Sequence, residues 1–345
     1  MSNSNETLSH DKYSKDLFSH IYIEKSARSH PRTEHILSCI SNSIKAHDLQ
    51  EHITIIDNYK DIFYSYNKSR KRSLILCAQK DNCVFPGSPV CQDFDERYFY
   101  YASSAKNCIY NCEYCYLKGM YPSSDIVVNV DLQSIFAEVK KLLNEHPVYL
   151  CISYDTDLLA LETLIGSVRE WTEFTASESN LLVECRTKCA RTDLWDNLRP
   201  NERFIFAYTL SPQEIISTYE NGTPSLESRI ESIRIAMECG HPIRLCFDPM
   251  IYIKNWKTHY GQMIDNLSSS IDWSKIRDVS IGSFRISSAY LKRMRDLMPD
   301  STVVQFPFDL TNGVYQYPTY LKDDMQSFIH DRLSNLIPPD KIYGI

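Results

Sequence analysis

Residues 104–119 read SAKNCIYNCEYCYLKG and carry the most informative spacing in the chain, Cys108-x3-Cys112-x2-Cys115. Three thiolates on one loop can bind three irons of a [4Fe-4S] cube and leave the fourth iron open to a small-molecule ligand. The four-cysteine spacing of ferredoxins is absent, and a structural zinc site would need a fourth ligand from elsewhere. We therefore predict an iron–sulfur cluster with an open coordination position, with a zinc site or separate buried thiols as alternatives.

The cysteine motif follows the first of six predicted strands, which alternate with six predicted helices. This alternation predicts a parallel sheet with crossover helices and a site at the carboxyl ends of the strands. We expect an α/β fold of the partial (β/α)6 TIM-type barrel kind, although an open doubly wound sheet has the same pattern. The predicted strands cover 97–103, 148–154, 180–187, 203–210, 243–249 and 277–284, and the helices cover 131–146 with Asp131 as N-cap, 157–174, 191–198, 222–240, 258–269 and 287–298.

Three regions are predicted along the chain. Residues 1–96 form an N-terminal α/β layer with strands at 21–27 and 73–80 and a helix at 34–47; residues 97–300 form the partial barrel; residues 301–345 form a C-terminal extension. A basic run, Lys68, Arg70, Lys71 and Arg72, precedes the second strand and is either a solvated turn or a phosphate contact.

Composition narrows the functional class. Of 345 residues, 43% are hydrophobic and 23% are charged, as in ordinary globular proteins. No apolar run is long enough to span a bilayer and the polar N-terminus lacks a secretory signal, so we expect a cytoplasmic protein without a membrane partner. Cytosolic thiols stay reduced, and the 12 cysteines therefore indicate metal binding or catalysis. The net charge of -7 disfavours a general nucleic-acid coat but permits a local basic groove.

The segment CEYCYL at 112–117 resembles the signature of the radical S-adenosylmethionine (SAM) family. The resemblance implies that Cys108, Cys112 and Cys115 hold a [4Fe-4S] cluster, that SAM chelates its open iron, and that Tyr114 packs near the SAM adenine. In that family one electron splits SAM, and the resulting 5′-deoxyadenosyl radical takes a hydrogen atom from substrate. The protein's part is to orient the cofactor and to exclude water.

The chain also resembles the spore photoproduct lyase family almost end to end. The matching segments are YIEK at 22–25, CEYCYL at 112–117, DLLALETLIGSVREWTEF at 157–174, RTK at 186–188, ENGTPSLESRI at 220–230 and the C-terminal helix. The resemblance implies that Tyr116 lies near SAM and the radical path and that Lys188 contacts SAM. It places Thr156 near a SAM-contacting serine. The alternatives are an ordinary strand-end lysine for Lys188 and a helix N-cap for Thr156.

One departure from that family concerns the hydrogen donor. The family's donor cysteine opens a Cys-Thr-Ser-Asp segment, and ungapped alignment on Asp157 puts Tyr154 at the donor position. An insertion would instead bring Cys151 and Ser153 into register, although insertions are less common in strands than in loops. Strand side chains alternate, so we expect Cys151 to face away from Tyr154. The alternative is that Cys151 is a buried thiol without a catalytic role.

A second departure is that the family's lesion-binding Arg-Tyr pair has no clear match at 306–317. Arg285 is a candidate replacement phosphate contact. Lys292, Arg293 and Arg295 are further candidates, although on a helix such residues more often form a solvated face.

The sequence leaves the roles of four more residues undecided. Asp248 ends the fifth strand and either binds SAM or substrate or caps a turn. Cys77, Cys83 and Cys91 are either a second metal site or separate reduced thiols.

Taken together, the leading hypothesis is a DNA-repair lyase that reverts spore photoproduct (5-thyminyl-5,6-dihydrothymine) to two thymines. Its expected partners are lesion-bearing DNA and reduced flavodoxin or ferredoxin as electron donor, in the cytoplasm of a spore or forespore. The alternatives are a related radical SAM enzyme with a different substrate and a noncatalytic iron–sulfur protein that binds DNA or a partner. Fold alone does not choose among these substrates.

Overall fold

The computed structural model describes residues 17–41, 51–64 and 72–345, and these form a mixed α/β fold. One sheet contains β1 (Ile21–Glu24), β2 (Ile53–Ile56), β3 (Leu74–Cys77), β6 (Ala105–Lys106) and β8 (Ile126–Asn129). Its order is β2-β1-β3-β8-β6, and the pairs are parallel except β6 with β8. This sheet therefore contains strands from before and after residue 97. The division of the chain into three regions stays a prediction.

The larger sheet positions the candidate site. It contains β4 (Val84–Pro86), β5 (Phe99–Ala102), β9 (Val148–Cys151), β10 (Leu181–Thr187), β11 (Phe204–Thr209), β13 (Ile243–Met250), β14 (Ile276–Ser283) and β18 (Ile342–Gly344). Its order is β18-β14-β13-β11-β10-β9-β5-β4. The six predicted strands are neighbours in this order and all pair in parallel. Every residue of β9 and β11 is buried, as expected for parallel strands covered on both faces.

Two small antiparallel sheets complete the strand pairing of the described residues. One joins β7 (Asn111–Cys112) to β12 (Glu220–Asn221), and the other joins β15 (Arg285–Ser287), β16 (Asp309–Thr311) and β17 (Val314–Gln316). The first of these pairs holds the cysteine loop against the segment that follows β11.

Helices cover the larger sheet, and their ends follow local rules. Asp131 is the predicted N-cap, and its carboxylate accepts from Ser134 N at 3.1 Å. Gly240, at φ 83°, follows the helix Leu226–Glu238. No helix in the described ranges is long and apolar enough to cross a membrane. The helices are Pro31–Ser41, Tyr59–Phe63, Leu117–Met120, Leu132–Leu143, Glu162–Ile165, Ser167–Ser177, Gln213–Tyr219, Leu226–Glu238, Trp256–Ser270, Ser288–Leu297 and Thr319–Leu333.

Some predicted elements were wrong in extent. The helix at 157–174 is interrupted at Gly166, whose φ of 67° is left-handed. Beyond the break, Val168 N donates to the Glu162 carboxylate at 2.6 Å. The helix at 191–198 is one 3-10 turn, Trp195–Asn197, and the strand at 21–27 ends at Glu24. The helix at 34–47 is Pro31–Ser41 where described, and positions 42–47 lie outside the described residues.

Candidate active site

The three motif cysteines lie on one loop whose backbone is fixed on both sides. Before it, Asn107 adopts φ 64° and its amide donates to Asp125 O at 2.7 Å and Ser123 O at 2.9 Å. Within it, Cys112 pairs with Glu220 between β7 and β12. After it, Lys118 N donates to Cys115 O at 3.1 Å as the helix Leu117–Met120 begins. The loop is thus held from three directions.

Cys108, Cys112 and Cys115 line one cavity of about 300 Å³, at the small end of ligand pockets in proteins. Burial raises the pKa of all three thiols, that of Cys112 to about 12. Among the described residues no group of three or more His, Cys, Asp or Glu side chains is close enough together to hold a single metal ion. Three thiols spread around a shared cavity suit a cube whose irons each take one thiolate better than a single tetrahedral zinc.

Beside the cysteine loop, Glu220 is the centre of a buried network of hydrogen bonds. Its carboxylate accepts from Tyr114 Oη, from Ser211 Oγ at 2.8 Å and from Arg229 Nη2 at 2.5 Å. Arg229 is completely buried and also donates to Thr209 O at 3.1 Å. Burial alone would raise the pKa of Glu220, but the Lys188 and Arg229 cations lower it to about 2. The network therefore fixes Tyr114, which lies between Cys112 and Cys115 in the cysteine loop, by its hydroxyl.

Lys188 brings a half-buried cation to the same place. Its Nζ lies 5.6 Å from the Tyr114 ring centroid, a cation–π distance. Asp157 positions it, because one carboxylate oxygen accepts from Lys188 N at 2.7 Å and the other from Thr187 Oγ1 at 2.7 Å. Burial would lower the pKa of Lys188, but Glu220 raises it, so the ammonium stays charged and suits an anionic ligand group.

The end of β9 carries the other predicted cofactor and donor residues. Thr156 Oγ1 is buried and has no hydrogen-bond partner among the described residues, so it is free to bond a group that is not part of the protein. Ser153 Oγ accepts from Arg186 N at 2.5 Å. Cys151 Sγ lies 4.0 Å from Ser153 Oγ, and burial raises its pKa to about 12. Ser153 is therefore already engaged by backbone, whereas Thr156 is available.

Three tyrosines form a continuous aromatic group at the end of β9. The Tyr154 ring stacks on Tyr101 with centroids 4.2 Å apart and lies 5.6 Å from the Tyr116 ring. The Tyr116 hydroxyl donates to Tyr154 O. The structure therefore brings Tyr116 and Tyr154 together beside the cysteine loop, and leaves Cys151 next to Ser153 and Glu184.

The carboxyl ends of β10, β13 and β14 add a charged group. Asp248 accepts from Arg285 at 2.8 and 3.2 Å and lies 3.6 Å from Arg186 Nη1. Burial alone would raise the pKa of Asp248, but Arg285 and Arg186 lower it. Arg295 donates to Val304 O and Phe306 O, so its guanidinium holds the backbone of that segment in place.

The remaining cysteines named from the sequence are not gathered into one site. Cys77 and Cys83 lie by the five-stranded sheet, where Asn129 Nδ2 is 3.5 Å from Cys83 Sγ. Cys91 lies beside Tyr154.

Glu220 and Arg229 were missed by the sequence reasoning as site residues. The signal was present, because both fall in the matched segment ENGTPSLESRI at 220–230. Nothing in their spacing of nine residues indicated a buried ion pair.

A family model described as spore photoproduct lyase matches residues 18–301. The chain is 23% identical over 243 residues to a spore photoproduct lyase of Clostridium acetobutylicum, which covers 66% of this chain and 70% of that protein. It is 19% identical over 265 residues to that of Bacillus subtilis, which covers 75% of each.

The fold of this chain is also similar to solved structures of spore photoproduct lyases. A spore photoproduct lyase complexed with dinucleoside spore photoproduct has a TM-score of 0.80 and 17% identity, over 96% of this chain and 99% of that one. A mutant spore photoproduct lyase with bound AdoMet and dinucleoside spore photoproduct has a TM-score of 0.79 and 17% identity, over 95% and 98%. At this identity the likeness shows a shared fold.

Proposed function

Because this chain belongs to the spore photoproduct lyase family, we propose that it is a radical SAM lyase that reverts spore photoproduct in DNA to two thymines. The observation that carries the proposal is that three thiols line one cavity, beside a half-buried cation at Lys188. That arrangement provides for a cluster with one open iron and for the anionic end of its ligand.

The proposal assigns the cluster and SAM to named residues. Cys108, Cys112 and Cys115 hold the [4Fe-4S] cluster. When bound, the cluster and SAM supply a reductive cleavage that yields a carbon radical able to take hydrogen from substrate. Such chemistry belongs to the cofactor, and the protein supplies orientation.

The chain's own residues orient SAM. Lys188 pairs with the SAM carboxylate, since its ammonium is charged and lies beside Tyr114 and the cysteine loop. Tyr114, fixed through its hydroxyl by Glu220, offers its ring to the adenine. Thr156 Oγ1 supplies a hydrogen bond that nothing in the described protein now uses, and Ser153 supports the same loop through Arg186 N.

The hydrogen that completes the repair comes from the end of β9. Tyr154 takes the donor position, with Cys151 as the other candidate, and Tyr116 connects this position with the cofactor. The contact of Tyr116 with the Tyr154 backbone and ring supports this assignment.

The lesion reaches these residues from DNA. We propose that the larger sheet curves as a partial (β/α)6 barrel, so that the carboxyl ends of its strands surround the lesion. The lesion leaves the base stack, as in other enzymes that act on bases, and Arg285 lies near its backbone. Reduced flavodoxin or ferredoxin supplies electrons, in the cytoplasm of a spore or forespore.

A second candidate function is favoured by one observation, namely that the aligned donor position holds a tyrosine. A relative with a different substrate would keep the cluster, SAM and Lys188 but return hydrogen differently. Its substrate would be another nucleic-acid lesion or an unrelated molecule.

Product analysis separates the two. The cluster is reconstituted without oxygen, reduced, and supplied with SAM and the dinucleoside spore photoproduct, and thymine dinucleoside and 5′-deoxyadenosine are quantified together. Repaired dinucleoside supports the lyase. Deoxyadenosine without repaired dinucleoside contradicts the lyase and favours the second candidate. The variant Cys112→Ala is the control, because it removes a cluster ligand.

A further inference from the structure

The basic run before β3 reaches the cysteine cavity. Its last residue, Arg72, lines that cavity with the three motif cysteines, and Arg72 Nη1 donates to Ile109 O of the cysteine loop at 2.7 Å. The first three residues of the run, Lys68, Arg70 and Lys71, lie outside the described residues. The described end of the run is therefore a cation at the edge of the cysteine loop.

A second cation, Lys118, lies at the same cavity. It lines the cavity beside the cysteines, and its Nζ donates to Asn111 Oδ1. Three other residues that line the cavity, Asn111, Ser124 and Leu297, are exposed. The cysteine cavity therefore opens at the protein surface, and two cations lie at the opening.

The helix Ser288–Leu297 forms another side of this opening. Arg293, on the exposed surface of the helix, donates from Nη1 to Met120 O at 3.3 Å, at the end of the helix that follows the cysteine loop. Leu297 lies one turn further along and therefore on the same face, and its residue is 45% exposed. The helix thus adds a third cation and an exposed apolar side chain.

The carboxylates near the opening do not cancel this charge. Asp125, the one carboxylate among the residues that line the cavity, is buried and accepts from a backbone N–H at 2.8 Å. Glu113, in the cysteine loop, accepts from Ser301 Oγ at 2.7 Å. Asp296 is exposed but borders a second cavity with two cations of its own helix, which leaves Asp300 as an exposed carboxylate beyond the helix end. Positive charge is therefore in excess at the opening.

We propose that this cationic rim, which consists of Arg72, Lys118, Arg293 and Leu297, is the docking surface for an acidic one-electron carrier protein that reduces the cluster. This inference rests on the proposed function. Electron transfer slows steeply with distance, so the carrier has to approach the cluster closely, and the cavity that the cysteines line is open at this rim. The whole chain carries a net charge of -7, so an acidic carrier is repelled by the molecule in general and attracted at the rim, which directs its approach.

The composition of the rim suits a weak and transient contact. Complexes between electron-transfer proteins bury little surface, and interfaces combine an apolar core with a polar rim. Leu297 supplies the apolar contact, and the three cations supply the attraction. In the transfer the carrier loses one electron and the cluster gains one, and no covalent bond forms or breaks.

The test compares two reductants of the reconstituted protein, the hydroquinone of flavodoxin, an acidic flavoprotein, and photoreduced 5-deazariboflavin, a small uncharged molecule. Stopped-flow absorbance follows the flavodoxin semiquinone and the bleaching of the cluster. Calorimetric titration with oxidised flavodoxin measures binding without electron transfer. The variants are Arg293→Glu and Leu297→Ser. Lys275→Glu is the matched control, because Lys275 is exposed just before β14, at the amino ends of the strands.

We expect Arg293→Glu to lower the affinity for flavodoxin and the rate of electron transfer from it by roughly tenfold or more at low salt. The difference from wild type should shrink at high salt, because salt screens exposed charges. Leu297→Ser should weaken binding at both salt concentrations, since an apolar contact is not screened. Lys275→Glu should behave as wild type does, and 5-deazariboflavin should reduce all four proteins at the same rate.

Equal flavodoxin affinity and transfer rate in Arg293→Glu and Lys275→Glu would overturn the docking surface, and so would an equal loss of rate with 5-deazariboflavin. A loss of affinity for duplex DNA in Arg293→Glu, with unchanged affinity for flavodoxin, would also overturn it, because the rim would then bind nucleic acid. If wild type accepts electrons from flavodoxin but repairs no dinucleoside, the proposed function fails while the docking surface stands, so the two failures are distinguishable.

Discussion

Glu220 and Arg229 form a fully buried ion pair, with Arg229 Nη2 2.5 Å from Glu220 Oε2. The pair holds the loop after β11 beneath the cysteine loop, because Glu220 also accepts from Tyr114 and pairs through its backbone with Cys112. A buried pair is costly to break, since the remaining charge loses its compensation. The cysteine loop is therefore held by a salt bridge that lies outside it.

The first prediction follows from that pair. Glu220→Gln should lower the free energy of unfolding by ~3–5 kcal/mol, because Arg229 and Lys188 lose their buried counter-charge. Urea unfolding of the protein without cofactors measures this. Glu231→Gln is the matched control, because Glu231 pairs with Arg234 on the surface of the next helix, and it should change stability little. Equal stability of the two variants would contradict the role of Glu220.

The second prediction concerns SAM affinity. Lys188→Gln should raise the SAM dissociation constant of the reconstituted protein by about 10- to 100-fold, which corresponds to a lost hydrogen bond to a charged group worth ~1.5–3 kcal/mol. Equilibrium dialysis with SAM checks this. Lys141→Gln, at an exposed position of the helix Leu132–Leu143, should bind SAM as wild type does. Wild-type affinity in Lys188→Gln would contradict the assignment of Lys188.

The third prediction is a pH dependence. Arg285 and Arg186 hold the pKa of Asp248 below its ordinary value of 3.8. A lowered carboxylate pKa stabilises the fold above the unfolded-state pKa, and this contribution disappears as pH falls through the folded-state pKa. Wild type should therefore be more stable than Asp248→Asn at pH 7, and the difference should shrink below about pH 4.

Thermal unfolding of both proteins without cofactors, from pH 7 downward, makes that comparison. Asp324→Asn, which alters a half-exposed pair with Lys257, should show no such convergence with wild type. A constant difference between wild type and Asp248→Asn at all pH values would contradict the prediction.

The fourth prediction uses a close approach in β14. A Cβ added at Gly282 would lie 2.8 Å from Arg285 Nη1 and from Asp248 Oδ1. Gly282→Ala should therefore displace the Asp248–Arg285 pair, lower stability by ~1–3 kcal/mol and reduce repair. Gly344→Ala should be tolerated, since no atom of the described residues beyond its chain neighbours lies within 4 Å of its added Cβ. Equal repair and stability in the two variants would contradict the account of this pair.

Much of the fold followed from local rules that a single sequence obeys. The alternation of six strands with six helices predicted a parallel sheet, and Asp131 predicted a helix start. The interruption at Gly166 was not predicted, because no local pattern indicates that the Glu162 carboxylate accepts from two backbone groups beyond it. Short strands such as Ile126–Asn129 were missed because they are set by pairing with distant segments.

The candidate site likewise contains residues that local sequence patterns predict and residues that only the fold brings together. Cys108, Cys112 and Cys115 lie within one loop, so spacing alone indicated their chemistry. Cys91 and Tyr154 are far apart in the chain, and only the path of the segment before β5 brings them together. No local pattern carries that information, and the sequence therefore suggested only a metal site or a free thiol for Cys91.

The measurement that tests the central claim most directly is hydrogen transfer from the lesion. Dinucleoside spore photoproduct carrying deuterium at C6 of the dihydrothymine is incubated with reconstituted, reduced enzyme and SAM. The account predicts deuterium in 5′-deoxyadenosine together with repaired thymine dinucleoside. Deoxyadenosine free of deuterium, with the lesion unchanged, would contradict the claim that this chain is a spore photoproduct lyase.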